Sequence, residues 1–315
     1  MDETTLRTLM DGALAGEPPL GPVADNALRA GIKTRRRRVF SGACSMAAAA
    51  ALAVAIPVVA GPLVAPPASR QHQAGTWPFS GSANVPPPDK AVLSWRAVKR
   101  DQGSIVKITG QAKTTCNRAM EASGFVISPH HVLTNAHAVA GMTSGPYVHD
   151  GTSNRFPAKV VLFDSNTDVA ILYVPQLNAP PLRFTGPAPR GSDAVVAGYP
   201  ENRRFRAVPA RVGSRWSAQG PNIYHTGTVT RAIYAVRASV IPGDSGGPLL
   251  ARSGKVYGVI FARSSTARDT GFALTASAVG PDVRHGARAT TPVSSRGCPP
   301  PPTTASPSPA PQSPP

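Results

Sequence analysis

The chain has 315 residues, room for one or two domains, with 35 prolines, 16% charged residues and a formal net charge of +17. Proline at that density beside so little charge marks part of the chain as linker or tail, not core. The basic balance has no nucleic-acid module to claim it: there is no zinc-finger spacing, no aromatic RNA-binding motif and no basic heptad helix, so nucleic acid is not expected as a partner. The arginine surplus reads as a diffuse positive surface with a weak attraction to anionic envelope polymers.

In chain order, residues 1–38 are polar and mixed in charge, and they end in Arg35, Arg36, Arg37 and Arg38. From Val39 to Ser69 there is no Asp, Glu, Lys or Arg. Residues 39–65 are apolar and long enough to cross a bilayer, for which about 20 residues suffice. This predicts one transmembrane helix, kinked at Pro57. The arginines on its N-terminal side keep the N-terminus cytoplasmic and place everything after Pro66 outside. The alternative is a cleaved signal, which leaves a secreted protein; the leading segment is long for that class. Residues 66–95 are rich in Pro, Ser and Gly and read as an extended linker. Residues 299–315, PPTTASPSPAPQSPP at their end, form a proline-rich tail that cannot bury a core.

Residues 96–298 have another texture. Short β-rich runs recur (SIVKITG, ASGFVIS, HVLTNA, KVVLF, VAILYVP, AVVAGY, IYAVRASV, KVYGVIF, GFALT), separated by Gly, Pro, Asn and Asp, with no long helical period. That pattern predicts an all-β barrel or sandwich. Cys44 lies in the apolar stretch, leaving Cys116 and Cys298 for the soluble part. Outside the cytoplasm they read as one disulfide, or else as two unpaired buried thiols.

The chemistry concentrates in Pro242-Gly243-Asp244-Ser245-Gly246-Gly247-Pro248. A serine hydroxyl is a poor nucleophile at neutral pH and needs a base for its proton and donors for the oxyanion that forms. The glycines permit backbone angles that aim N–H groups at one spot, and Gly243 and Ser245 are the natural oxyanion pair. His137, at the end of HVLTNA, is the candidate base. Asp168, heading the apolar VAILYVP, is the candidate orienting acid, because a buried carboxylate needs a partner and an imidazole N–H supplies one. The remaining histidines (His72, His130, His131, His149, His225, His285) have no catalytic setting, and no HExxH, clustered Cys/His or calcium-loop spacing points to a metal or other cofactor.

TNAHAV, DVAIL and GDSGGP, in the order His…Asp…Ser, resemble the signature stretches of trypsin-like (chymotrypsin-fold) serine proteases over roughly residues 100–280. ASGFVIS, LTNAHAVAG, VRASVIPGDSGGPLL and TGFALTA resemble, more narrowly, the membrane-anchored acid-resistance proteases of actinobacteria. The resemblance implies two packed antiparallel six-stranded β-barrels, over about 96–182 and 190–290, with the cleft between them. It implies serine endopeptidase activity on protein or peptide substrates. It also implies a Cys116–Cys298 bridge, which chain-entropy arguments value at about 4–5 kcal/mol. The family alignment puts Ser239 at the floor of the specificity pocket, with Ala262 near its wall, and therefore favours uncharged side chains before the cut. Two departures stand out. No Ile-Val-Gly-Gly occurs, so Asp244 must find a partner other than a new N-terminal amine, or its loop must rearrange with substrate. Phe261 or Ala262 occupies the stretch where digestive members carry a serine near the buried acid. A rival reading is a protease-like ectodomain that docks peptides without cutting them.

Overall fold

The computed structural model describes residues 82–112, 118–201, 203–295 and 297. The expected anchor, Cys116, Cys298 and the proline tail lie outside the described residues. Among the described residues no helix is long and apolar enough to cross a membrane.

The β-rich runs become strands in two sheets. In the first lobe these are β1 (Ile105–Ala112), β2 (Arg118–Ser128), β3 (His131–Thr134), β4 (Ser144–His149), β5 (Arg155–Pro157), β6 (Lys159–Asp164) and β7 (Val169–Tyr173). They form one antiparallel sheet in the order β5-β4-β1-β2-β3-β7-β6. The second lobe holds β8 (Asp193–Gly198), β9 (Arg206–Pro221), β10 (Thr228–Arg237), β11 (Pro248–Leu250), β12 (Val256–Arg263) and β13 (Thr270–Thr275), closed as a six-stranded barrel in the order β10-β13-β12-β11-β8-β9. The second lobe matches expectation and the first corrects it: seven strands stand where a six-stranded barrel was expected. Its two edge strands, β5 and β6, are consecutive in the chain with Ala158 alone between them, so the sheet must curl until its edges meet.

Each lobe buries its own apolar cluster: Val106, Ile108, Val132 and Leu172 in the first, Val196, Val212, Leu249 and Ile260 in the second. A third cluster runs between them and joins Ile105, Phe125, Leu133 and Val169 to Val195, Leu250, Phe261 and Phe272. At about 25 cal/mol per Å² of apolar surface, this shared cluster resists any hinge between the lobes. Among the described residues, two α-helices flank the sheets. Helix α1 (Arg96–Asp101) precedes β1, and α2 (Ala276–Gly286) follows β13. The hydroxyl of Thr275 caps α2 by accepting from Ala278 N–H at 3.2 Å. Gly286, at its end, packs on Ile171 and Leu162 of the first lobe, so the chain returns from the second lobe to the first. His131 fastens the segment after α2: its ring nitrogens lie 2.7 Å from the Pro129 carbonyl and 2.9 Å from the Ala289 carbonyl.

The described part of the expected linker is folded. Ala83, Val85 and Val92 are buried, and Ala83 N–H donates to the Thr270 hydroxyl at 3.2 Å. Asp89 caps a 3-10 turn over Lys90–Ser94 through Ala91 N–H. Three isolated apolar residues among prolines carry no period, so the sequence pattern has no means of marking this segment as packed.

Candidate active site

His137 follows β3 and Asp168 precedes β7, and these strands are neighbours in register, with Thr134 opposite Ala170. Pairing therefore brings the two residues together at one end of the sheet. Both carboxylate oxygens of Asp168 serve His137: Oδ2 lies 2.8 Å from the ring Nδ1, and Oδ1 accepts the backbone N–H at 2.9 Å. Asp168 is fully buried, and Asn135 Nδ2 donates to its main-chain carbonyl at 2.9 Å. A carboxylate only accepts, so Nδ1 carries the proton and Nε2 is left with its lone pair, the tautomer of a general base. Asp168 itself sits at φ +67°, a left-handed conformation uncommon for a non-glycine residue, held here by the surrounding bonds.

A second support for this acid escapes the sequence pattern. Arg231 of β10 is 5% exposed, and its Nε donates to the Asn166 carbonyl at 2.5 Å, two residues before Asp168. Burial pushes the Arg231 guanidinium down from its ordinary value, while the charges of Asp168 and Asp164 hold it up. The buried cation thus lies within electrostatic reach of Asp168 and fixes the loop that carries it. Phe261 and Ala262, where a serine was missing, are both buried apolar residues.

The turn that carries Ser245 enters β11. Gly243 and Gly246 have φ of +91° and +82°, which side chains rarely adopt. Two carbonyls of this turn are pinned from inside: Glu201 N–H donates to Pro242 O at 3.1 Å, and Gly247 N–H to Asp244 O at 3.0 Å. In a trans peptide the N–H points opposite to the C=O. The N–H groups of Gly243 and Ser245 therefore face away from those partners, and among the described residues neither has an acceptor. These are the two donors expected for an oxyanion. Gly246 N–H donates to Ile260 O at 2.7 Å, tying the turn to β12. A Cβ on Gly246 would overlap Ser123 O and Thr134 Oγ1, so the turn is docked on the strand that leads to His137. Ser245 is 8% exposed, and its carbonyl accepts Ser123 N–H at 2.9 Å.

Asp244 finds its partner within the chain. Its Oδ2 accepts from Arg206 Nη2 at 3.1 Å and from Ile241 N–H at 3.0 Å. Burial pushes the Asp244 carboxyl above the ordinary carboxylate value, opposed by the Ile241 N–H and by Arg206. The same Arg206 Nη2 donates to the carbonyl of Ser239, so the expected pocket floor and Asp244 hang on one guanidinium. Ser239 itself is exposed, and Ala262 is buried on β12.

Two of the other described histidines are engaged elsewhere: His130 Nδ1 with Leu177 O at 2.9 Å, and His149 Nε2 with Thr109 Oγ1 at 2.9 Å. Among the described residues no group of three or more His, Cys, Asp or Glu could hold a metal ion.

A family model described as "Trypsin-like peptidase domain" matches residues 122–259, which contain His137, Asp168 and Ser245. Serine protease Rv3671c of Mycobacterium tuberculosis is 43% identical over 225 residues, 70% of this chain and 56% of that protein. The chain thus spans little more than half the length of this curated relative. The crystal structure of the Rv3671c protease in its active form aligns at a TM-score of 0.66 and 43% identity, over 70% of this chain and 97% of the crystallised one. The inactive form aligns at 0.57 and 42% identity, over 64% and 98%. A serine endoprotease of Yersinia pestis shares the fold at a TM-score of 0.51 and 20% identity, over 64% of this chain and 68% of that one. With the triad strands, the glycine turn and these alignments in agreement, the chain belongs to the trypsin-like serine protease family.

Proposed function

We propose that this chain is a serine endopeptidase acting outside the cytoplasmic membrane. His137 Nε2 takes the proton of Ser245, whose Oγ attacks a peptide carbonyl. The N–H groups of Gly243 and Ser245 hold the oxyanion. His137 then protonates the leaving amine, and water repeats the sequence on the acyl-enzyme. Asp168 steadies the imidazolium. The observation that carries the proposal is the two-point hold of Asp168 on His137, because one oxygen fixes the ring's tautomer and the other fixes the backbone that presents it. The mechanism calls on no cofactor.

Several finer features belong to the same proposal. Ser239 and Ala262 border the specificity pocket and favour uncharged side chains before the cut. Residues 39–65 anchor the chain with its N-terminus cytoplasmic, and Cys116 pairs with Cys298. The substrates are envelope proteins, processed under stress. Incubating the purified chain with a peptide library and reading the products by mass spectrometry tests the activity: internal cuts that vanish in Ser245→Ala support it. An unchanged library from a folded protein points instead to a peptide-docking ectodomain. Membrane fractionation and thiol labelling of the unreduced protein test the anchor and the bridge.

A further inference from the structure

We propose that Ser123 is the positioning residue that holds the oxyanion hole open, an inference that rests on the endopeptidase reading. Ser123 lies on β2 of the first lobe, more than a hundred residues before the nucleophile, and is fully buried. All its polar atoms are engaged, and all but one of its bonds reach the second lobe. Its hydroxyl donates to the Gly243 carbonyl at 2.7 Å and accepts from Tyr199 N–H at 2.8 Å. Its backbone N–H donates to the Ser245 carbonyl at 2.9 Å. Its carbonyl accepts from the Thr134 hydroxyl at 2.8 Å, on the strand that ends before His137.

These bonds fix what a glycine turn would leave free. Gly243 has no side chain and sits at φ +91°, so the peptide planes on either side of it can rotate at little intrinsic cost. The plane before it is held by Glu201 N–H on Pro242 O. The plane after it is held at one end by the Ser123 hydroxyl on Gly243 O and at the other by Asp244 N–H, which donates to Ile241 O at 3.1 Å. With both planes fixed, the Gly243 N–H keeps its outward aim. Without the hydroxyl, the plane after Gly243 keeps only the Asp244 N–H bond to Ile241 O, and a tilt of that plane turns the Gly243 Cα and with it the aim of the N–H in the plane before. A serine is the residue that suits this place. A Cβ on Gly198 would press on the Ser123 hydroxyl, and a Cβ on Gly247 would lie 3.4 Å from the Ser123 Cβ, so glycine backbone closes around it. Alanine lacks the donor, and threonine adds a methyl where that backbone already stands. Ser123 touches no reacting atom, and its effect passes through Gly243 and Ser245.

The test compares the purified full-length chain with Ser123→Ala, using p-nitrophenyl acetate and a fluorophosphonate. Losing one properly aimed oxyanion donor costs about 100- to 1,000-fold in the chemical step. A donor that is mobile and not absent should cost less, about 10- to 100-fold. The expected result is an acylation rate constant lower by about that factor, with the ester's Ks within about threefold and the fluorophosphonate labelling rate falling in parallel. Since Ser123→Ala also leaves Tyr199 N–H and Gly243 O without their bonds, Val212→Ala serves as a control that destabilises the second-lobe core without touching the turn. An acylation loss in Ser123→Ala well beyond that of Val212→Ala, measured where both are fully folded, supports the proposal. Equal acylation in Ser123→Ala and wild type, or a loss carried by Ks, overturns it. A wild-type chain that is folded yet inert to both reagents overturns the endopeptidase reading itself, and this inference with it.

Discussion

Replacing Arg206 by methionine removes the guanidinium that meets Asp244 Oδ2 at 3.1 Å and also bonds the Ser239 carbonyl. Asp244 is fully buried, its Oδ1 has no partner among the described residues, and Arg206 is 24% exposed on its side chain. Removing one partner of a buried pair costs about 3–5 kcal/mol. Solvent already reaches Arg206, so a discounted figure of about 2–3 kcal/mol applies. If most of that falls on the loop between Ile241 and Ser245, the equilibrium constant for forming the turn drops by about 30- to 150-fold, at 1.4 kcal/mol per factor of ten. Ester hydrolysis at pH 8 and urea unfolding at pH 5 and pH 8 measure the two consequences. The pH comparison has a definite sign. Burial raises the Asp244 carboxyl in the folded protein, and taking away Arg206 removes a charge and a hydrogen bond that oppose that rise. A carboxyl that titrates higher in the folded than in the unfolded state contributes stability below its ordinary value. That contribution is lost as pH rises through the raised one. The Arg206→Met defect should therefore shrink in acid, where a neutral Asp244 needs no cation. Activity within threefold of wild type at pH 8, with an unchanged urea midpoint, would refute the reasoning.

Gly243→Ala places a Cβ against the backbone of Pro200 and Glu201 at φ +91°, and neither can yield; kcat on the ester should fall at least about 100-fold, read from the acylation burst. In Asp168→Asn the amide nitrogen must face either His137 N–H or Nδ1–H, so the imidazole takes the wrong tautomer; kcat should fall about 10,000-fold with the melting temperature little changed. Asp282 on α2 titrates at about 6, raised by burial first and by Asp164 second, with His285 opposing. Wild-type stability should decline as pH climbs from about 4 to about 6 and then level off. Asp282→Asn should remove that decline and melt about 2–4 °C higher at pH 7.5, by scanning calorimetry.

The expected triad residues each stand at the end of a strand: His137 just past β3, Asp168 just before β7, Ser245 just before β11. Apolar runs with turn residues between them marked most of the strands. The longest one, β9, escaped. It carries Arg211, Arg215, Pro209 and Gly213, and only four of its 16 residues are buried, so neither alternation nor a continuous apolar run exposes it. β4 and β5 escaped for a similar reason, being short and interrupted by Gly145, Pro146 and Pro157. The supports of the site were illegible on other grounds. Arg206 lies within NRRFR, a charge run with no visible target, and finds Asp244 only when β9 lies beside β8 in the closed barrel. Arg231 and Ser123 likewise act across strands and lobes, through contacts that no local spacing encodes. The missing Ile-Val-Gly-Gly posed the question of what holds Asp244, and only the packed structure supplies a cation for it.

The most direct test of the account is covalent labelling of Ser245. The purified full-length chain is treated with a fluorophosphonate at pH 8, beside Ser245→Ala, and both are read by intact mass. One adduct on the unaltered chain, mapped to Ser245, and none on the variant is the result expected from a deprotonating His137 and an oxyanion hole already formed. No adduct on a folded chain, or an adduct that persists in Ser245→Ala, would contradict the assignment of nucleophile and base.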